Sequence, residues 1–155
     1  MQDKYFLDTN ILVYSFDKSQ PVKQNISRTL IKEGLEQGSA CISYQVIQEF
    51  LNVATRKFAT PLSNKDCRIY LTSVLEPLCE IYASIELYHL GMEISDRWKF
   101  SFYDSLIIAG SIQANCKILY SEDLQHDQMI QDIRIVNPYL KSYTENTKKS
   151  QSTRR

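Results

Sequence analysis

Five short apolar segments, Lys4–Leu7, Ala40–Ser43, Cys79–Tyr82, Lys117–Tyr120 and Ile133–Val136, punctuate the chain. Longer stretches with helical periodicity separate the first four. Strands alternating with helices predict a parallel sheet covered on both faces, because each crossover lays a helix against the sheet. The chain is long enough for one such domain: it has 155 residues, 43% of them hydrophobic and 23% charged, near globular averages. That domain is predicted over residues 1–143. Residues 144–155 contain no apolar side chain. They cannot bury surface to offset the entropy of ordering, so a disordered basic tail is expected there.

Polar and special residues mark the element boundaries. Lys4–Leu7 ends in Asp8-Thr9-Asn10, which predicts a sharp break and then a short helix. Pro21 suits a first helical position, and the helix it opens carries Ile26, Leu30, Ile31 and Leu35 at helical spacing before Gly38 ends it. Ser43 is placed to cap a helix running to about Phe58, on which Val46, Ile47, Phe50, Leu51, Val53, Ala54 and Phe58 form one apolar arc. Ser63 with Asp66 starts another helix, and Glu76-Pro77 is expected to stop it. Ser84 opens the next helix, Phe100–Tyr103 breaks it, and a more apolar helix spans Asp104–Asn115.

Several function classes are disfavoured. Basic and acidic residues balance at 18 each, yet residues 141–155 hold five basic residues against Glu145 alone. The body is therefore mildly acidic, which does not suit a charge-driven nucleic-acid binder but does suit carboxylates gathered around a metal. Cys41, Cys67, Cys79 and Cys116 form no Cys-x-x-Cys pair, and His89 and His126 are the two histidines, so zinc spacing is absent. No apolar run reaches the roughly 18 residues of a membrane helix, and the first residues carry no signal-peptide core. A cytoplasmic protein with reduced, buried thiols and no membrane contact is expected.

The acids fall in a pattern. In a parallel sheet, ligands bind outside the carboxyl ends of the strands. Asp8 follows the first strand, Asp123 follows the fourth by about three residues, Glu49 lies on the second turn of the helix after the second strand, and Asp104 opens the helix before the fourth strand. Each acid has a plainer reading. Asp8 and Asp123 also suit turns, Glu49 a solvated helix face, and Asp104 a helix start capped with Ser101. Glu122 and Asp127 compete with Asp123 for its role. Together, however, clustered carboxylates need a cation or raised pKa values. Oxygen-only donors point to Mg²⁺ or Mn²⁺, and such a site is suited to phosphodiester hydrolysis with water as the nucleophile.

The motifs carrying these acids resemble those of PIN-domain ribonucleases. Phe6-Leu7-Asp8-Thr9-Asn10-Ile11-Leu12 is similar to the opening motif. Val46-Ile47-Gln48-Glu49-Phe50 is similar to the central glutamate helix, Phe102-Tyr103-Asp104-Ser105-Leu106 to the third acidic motif, and Tyr120-Ser121-Glu122-Asp123-Leu124 to the fourth. The closest branch is the VapC-type toxins of bacterial toxin–antitoxin pairs. The resemblance implies a three-layer α/β/α fold with a central parallel sheet of about five strands, and Mg²⁺- or Mn²⁺-dependent cleavage of RNA by Asp8, Glu49, Asp104 and Asp123. It also implies support from Thr9, Asn10 and Ser121, homodimerisation, and inhibition by a small antitoxin protein. Ser121 stands where threonine is common.

Rival readings are a catalytically inactive PIN domain acting as an RNA- or protein-binding module, and a nuclease acting on flapped or single-stranded DNA. An aspartyl phosphotransferase of the haloacid-dehalogenase type needs a second Asp where this chain has Asn10. Trp98 and the tyrosines read as core or dimer packing, Arg56, Lys57, Arg97 and Lys99 as solvated charge, and His126 as structural.

Overall fold

The computed structural model describes residues 3–140. The predicted tail at residues 144–155 and the end of the predicted domain at residue 143 lie outside the described residues. Six strands form one sheet: β1 (Tyr5–Leu7), β2 (Ala40–Ser43), β3 (Cys79–Ile81), β4 (Ile118–Tyr120), β5 (Met129–Ile130) and β6 (Ile133–Val136). Their order across the sheet is β3-β2-β1-β4-β6-β5. Neighbours run parallel except β5, which pairs antiparallel with β6 (Met129 with Arg134, Ile130 with Ile133). The expectation of about five strands missed β5, whose two residues are too few to show an alternating pattern.

The helices are α1 (Thr9–Tyr14), α2 (Pro21–Gln37), α3 (Tyr44–Arg56), α4 (Asn64–Tyr70), α5 (Glu76–Leu78), α6 (Ile85–Trp98) and α7 (Phe102–Gln113). They cover both faces of the sheet, which makes the predicted α/β/α sandwich. The stop predicted at Glu76-Pro77 is not where the helical path ends. After α4 the backbone widens into a π turn over Leu71–Leu75 and continues through α5 to Leu78. Pro77 cannot donate to a continuing helix, and it falls directly after the π turn, where the regular hydrogen-bond ladder is already interrupted. Phe102 and Tyr103, read as part of the break that ends the helix opened by Ser84, instead form the first turn of α7, because the Ser101 hydroxyl caps it by accepting from the Asp104 N–H at 3.2 Å. Ser43 occupies the N-cap position of α3 without a side-chain cap bond.

The core is built around β1, whose three residues are all buried. Helix α7 is buried from Ser105 to Ser111 and packs against α6, β2 and β4, which explains why its sequence is apolar nearly all round. An aromatic cluster ties α3 to the end of α1. The Phe16 ring lies 5.7 Å from Phe50, 5.4 Å from Phe58 and 5.1 Å from Tyr70, and Phe50 lies 4.9 Å from Tyr70, centroid to centroid. Such pairs add about 0.5–1.5 kcal/mol each beyond area burial, and here they pack the turn after α1 against α3 and α4. The four cysteines are free, as expected, and three are buried. No helix among the described residues is long and apolar enough to cross a membrane.

Candidate active site

The chain runs from β1 outward to β2 and β3, then returns to the other side of β1 as β4. Strand order reverses between β1 and β4, and the carboxyl ends of two diverging strands leave a crevice at such a point. Asp8 ends β1 there, its N–H donating to the Tyr120 carbonyl at 3.0 Å. Ser121 ends β4 there, its N–H donating to the Val136 carbonyl at 3.0 Å. The Ser121 hydroxyl, fully buried, donates to Asp8 Oδ2 at 2.7 Å, and the Thr9 N–H donates to Asp8 Oδ1 at 2.7 Å. The second bond also caps α1. Asp8 thus caps α1 while its carboxylate is buried at this crevice.

Thr9 and Asn10, on the first turn of α1, each reach a further acid. Thr9 Oγ1 donates to Glu49 Oε2 at 2.6 Å, and Asn10 Nδ2 donates to Asp123 Oδ2 at 3.0 Å. Ser121 Oγ accepts from the Asp123 N–H at 3.2 Å, and Asn10 Oδ1 accepts from the Glu122 N–H at 3.4 Å. Asp8, Glu49 and Asp123 are therefore linked through Thr9, Asn10 and Ser121, all of them singled out in the sequence.

Asp104 stands apart from this network. It is half-buried on the first turn of α7, and its backbone N–H is engaged by Ser101. Its connection is indirect. Gln45 Nε2 donates to Glu49 Oε1 at 2.8 Å and to the Tyr103 carbonyl at 3.2 Å, joining the Glu49 arm to the residue before Asp104. Gln45 was missed in the sequence. Its signal was its place four residues before Glu49, on the buried side of α3 beside Val46.

The two competing acids are engaged elsewhere. Glu122 pairs with Lys23 of α2, whose ammonium lies 4.7 Å from the Tyr14 ring centroid and 5.5 Å from that of Tyr139. Asp127 faces His126 Nε2 at 3.2 Å and Arg134 at 3.9 Å. His126 Nδ1 accepts from the Asn137 N–H at 3.0 Å, a purely structural bond.

Asp8 is 7% exposed. Burial pushes its pKa up to about 6, Glu49 and Asp123 push in the same direction, and the bonds from Ser121 and Thr9 oppose the rise. Among the described residues no Lys, Arg or His pairs with Asp8, Glu49, Asp104 or Asp123. An all-oxygen set around a buried carboxylate without a cationic side chain fits a hard divalent cation in donor chemistry. As arranged, Asp8, Glu49 and Asp123 are each held by neutral donors, and among the described residues no three His, Cys, Asp or Glu side chains form a ready-made metal cage.

The model of the PIN domain family matches residues 5–130, and the chain belongs to that family. Three solved structures share its fold. They are a toxin–antitoxin complex from Klebsiella pneumoniae (16% identity, covering 88% of this chain and 98% of that one, TM-score 0.63), VapBC2 from Rickettsia felis bound to a DNA fragment from its promoter (19%, 84% and 96%, TM-score 0.60), and the sarcin–ricin-loop-cleaving toxin VapC20 of Mycobacterium tuberculosis (15%, 84% and 99%, TM-score 0.55). At these identities the likeness is one of fold. No curated protein matches the chain significantly in sequence.

Proposed function

We propose that this chain is a metal-dependent endoribonuclease and the toxin of a toxin–antitoxin pair. The observation that carries the reading is the network at the switch point, where one helical turn, Asp8-Thr9-Asn10, holds a buried carboxylate and tethers Glu49 and Asp123 beside it. Family membership and the toxins among the fold's neighbours support the same reading. Asp8, Glu49, Asp104 and Asp123 would hold Mg²⁺ or Mn²⁺. The bound ion would lower the pKa of a water, orient the phosphate and stabilise the charge of the transition state.

The chain's own residues supply the placement. Ser121 and the Thr9 N–H each hold one oxygen of Asp8. Thr9 and Gln45 fix the two oxygens of Glu49. Fixed carboxylates need no reorganisation when the reaction begins, which is where electrostatic catalysis gains most. Loss of one acid would have favoured an inactive binding module, and all four acids are present in the sequence. The partners of this reading are an RNA substrate, a small antitoxin that restrains the enzyme, and a second copy of the chain. Purified protein incubated with RNA tests it. Cleavage in Mg²⁺ or Mn²⁺ to products with 5′-phosphate ends is expected, and cleavage that persists unchanged in a chelator would refute the mechanism.

A further inference from the structure

The corner between α6 and α7 has a composition at odds with its exposure. Phe102 is 45% exposed and Tyr103 66% exposed. Their rings meet edge to face with centroids 5.4 Å apart. Exposing two adjacent aromatic rings forgoes burial that each could gain in a core. Neither ring is needed to start α7, whose first turn is capped by Ser101. The same corner carries exposed Arg97 and Lys99, and Lys99 makes only a solvent-exposed pair with Asp96 at 3.7 Å. Basic residues interleaved with exposed aromatics suit single-stranded nucleic acid, since rings stack on bases while cations meet the backbone.

The position of this corner is what gives it meaning. Tyr103 immediately precedes Asp104, and its carbonyl is bonded to Gln45, which holds Glu49. Behind it, the Tyr44 and Tyr88 hydroxyls meet at 3.2 Å, and Tyr103 is close enough to Tyr44 to contribute, with burial and Tyr88, to raising the Tyr44 pKa. A ring stacked on the pair would therefore lie at the rim of the acidic site, and the next phosphate of the same strand could reach the carboxylates.

We propose that Phe102 and Tyr103 form a stacking platform for unpaired nucleobases, flanked by Arg97 and Lys99 toward the phosphates, which holds a single-stranded segment across the acidic site. The inference rests on the ribonuclease reading above.

The test uses short single-stranded RNA carrying 2-aminopurine, whose emission is quenched on stacking. Binding is followed in Ca²⁺ and cleavage in Mg²⁺. The wild type should quench the probe. The double variant Phe102→Ala with Tyr103→Ala should lose the quench and raise KM by roughly 5- to 100-fold, with kcat at saturating RNA little changed. Tyr103→Trp should retain both properties, which a purely structural role would not predict. Equal binding, quenching and KM in the double variant would overturn the platform while leaving the ribonuclease intact. A wild type that neither binds nor cleaves RNA, with the aromatic pair altering only the association state, would overturn both and make the corner a protein interface.

Discussion

Thr9 donates its hydroxyl to Glu49 at 2.6 Å across 40 residues of sequence, and this bond joins the end of β1 to the helix that follows β2. The bond positions an acid rather than contacting a substrate. Thr9→Val keeps the shape and removes the donor. RNA cleavage should fall about 10- to 100-fold, the usual loss when a partner of a metal-ligating group is removed. Unfolding stability should change by only about 1 kcal/mol. Thr9→Ser should restore most of the rate, so kinetics and denaturant melts of the two variants check the role together.

The buried Asp8 carboxylate makes the fold pH-dependent. Its folded pKa of about 6 stands above the ordinary 3.8. Between those values the folded chain binds more protons than the unfolded chain, so the Asp8 contribution to stability is full at low pH and is lost as pH rises through about 6. The shift corresponds to a cost on the order of 3 kcal/mol at neutral pH. Asp8→Asn should therefore be more stable than the wild type at pH 7 in chelator, and the advantage should vanish near pH 4. Urea midpoints for both proteins across that range measure it. A variant less stable than the wild type at pH 7 would contradict the assignment.

Helix α2 lies against β2 with no room to spare. A Cβ placed at Gly34 would fall 2.2 Å from Ala40 Cβ and 2.9 Å from the Tyr5 hydroxyl. Neither neighbour can yield easily, since Ala40 is on the strand and the Tyr5 hydroxyl donates to the Leu30 carbonyl at 2.6 Å. Gly34→Ala should destabilise the fold by about 1–3 kcal/mol or more, despite the better helix propensity of alanine. Thermal melts would show it, and an unchanged or raised midpoint would mean that the helix can shift outward.

The toxin reading makes a cellular prediction. The chain expressed alone should slow growth and degrade RNA, and Asp8→Asn should do neither. Co-expression with the antitoxin that this reading requires should restore growth at matched protein levels. Equal growth and equal RNA integrity in all cultures would count against a restrained toxin.

Much of this was legible in the sequence because short buried strands and amphipathic helices leave strong periodic signals. The boundaries at Pro21 and Gly38 followed from backbone chemistry at single residues, and the structure places both where the sequence did, with Gly38 in the left-handed region at φ 65°. Besides the start of α7, which lies two residues earlier than the sequence suggests, two features were not legible. Strand β5 is two residues long and takes its conformation from pairing with β6, so it has no pattern of its own. The continuation through Pro77 depends on a π turn over residues 71–75, a change of register that no single residue announces. In the site, Thr9, Asn10 and Ser121 were readable through the resemblance of their motifs to those of PIN-domain ribonucleases. Gln45 was not, because its two partners come from different helices.

We propose that Asp8 after β1, Glu49 of α3, Asp104 of α7 and Asp123 after β4 together hold the divalent cation. Titration of Mn²⁺ into the purified chain, followed by electron paramagnetic resonance, tests it most directly. The wild type should show a saturable site whose affinity falls at least about tenfold in each of Asp8→Asn, Glu49→Gln, Asp104→Asn and Asp123→Asn. Equal Mn²⁺ affinity in the wild type and in Asp8→Asn would contradict it.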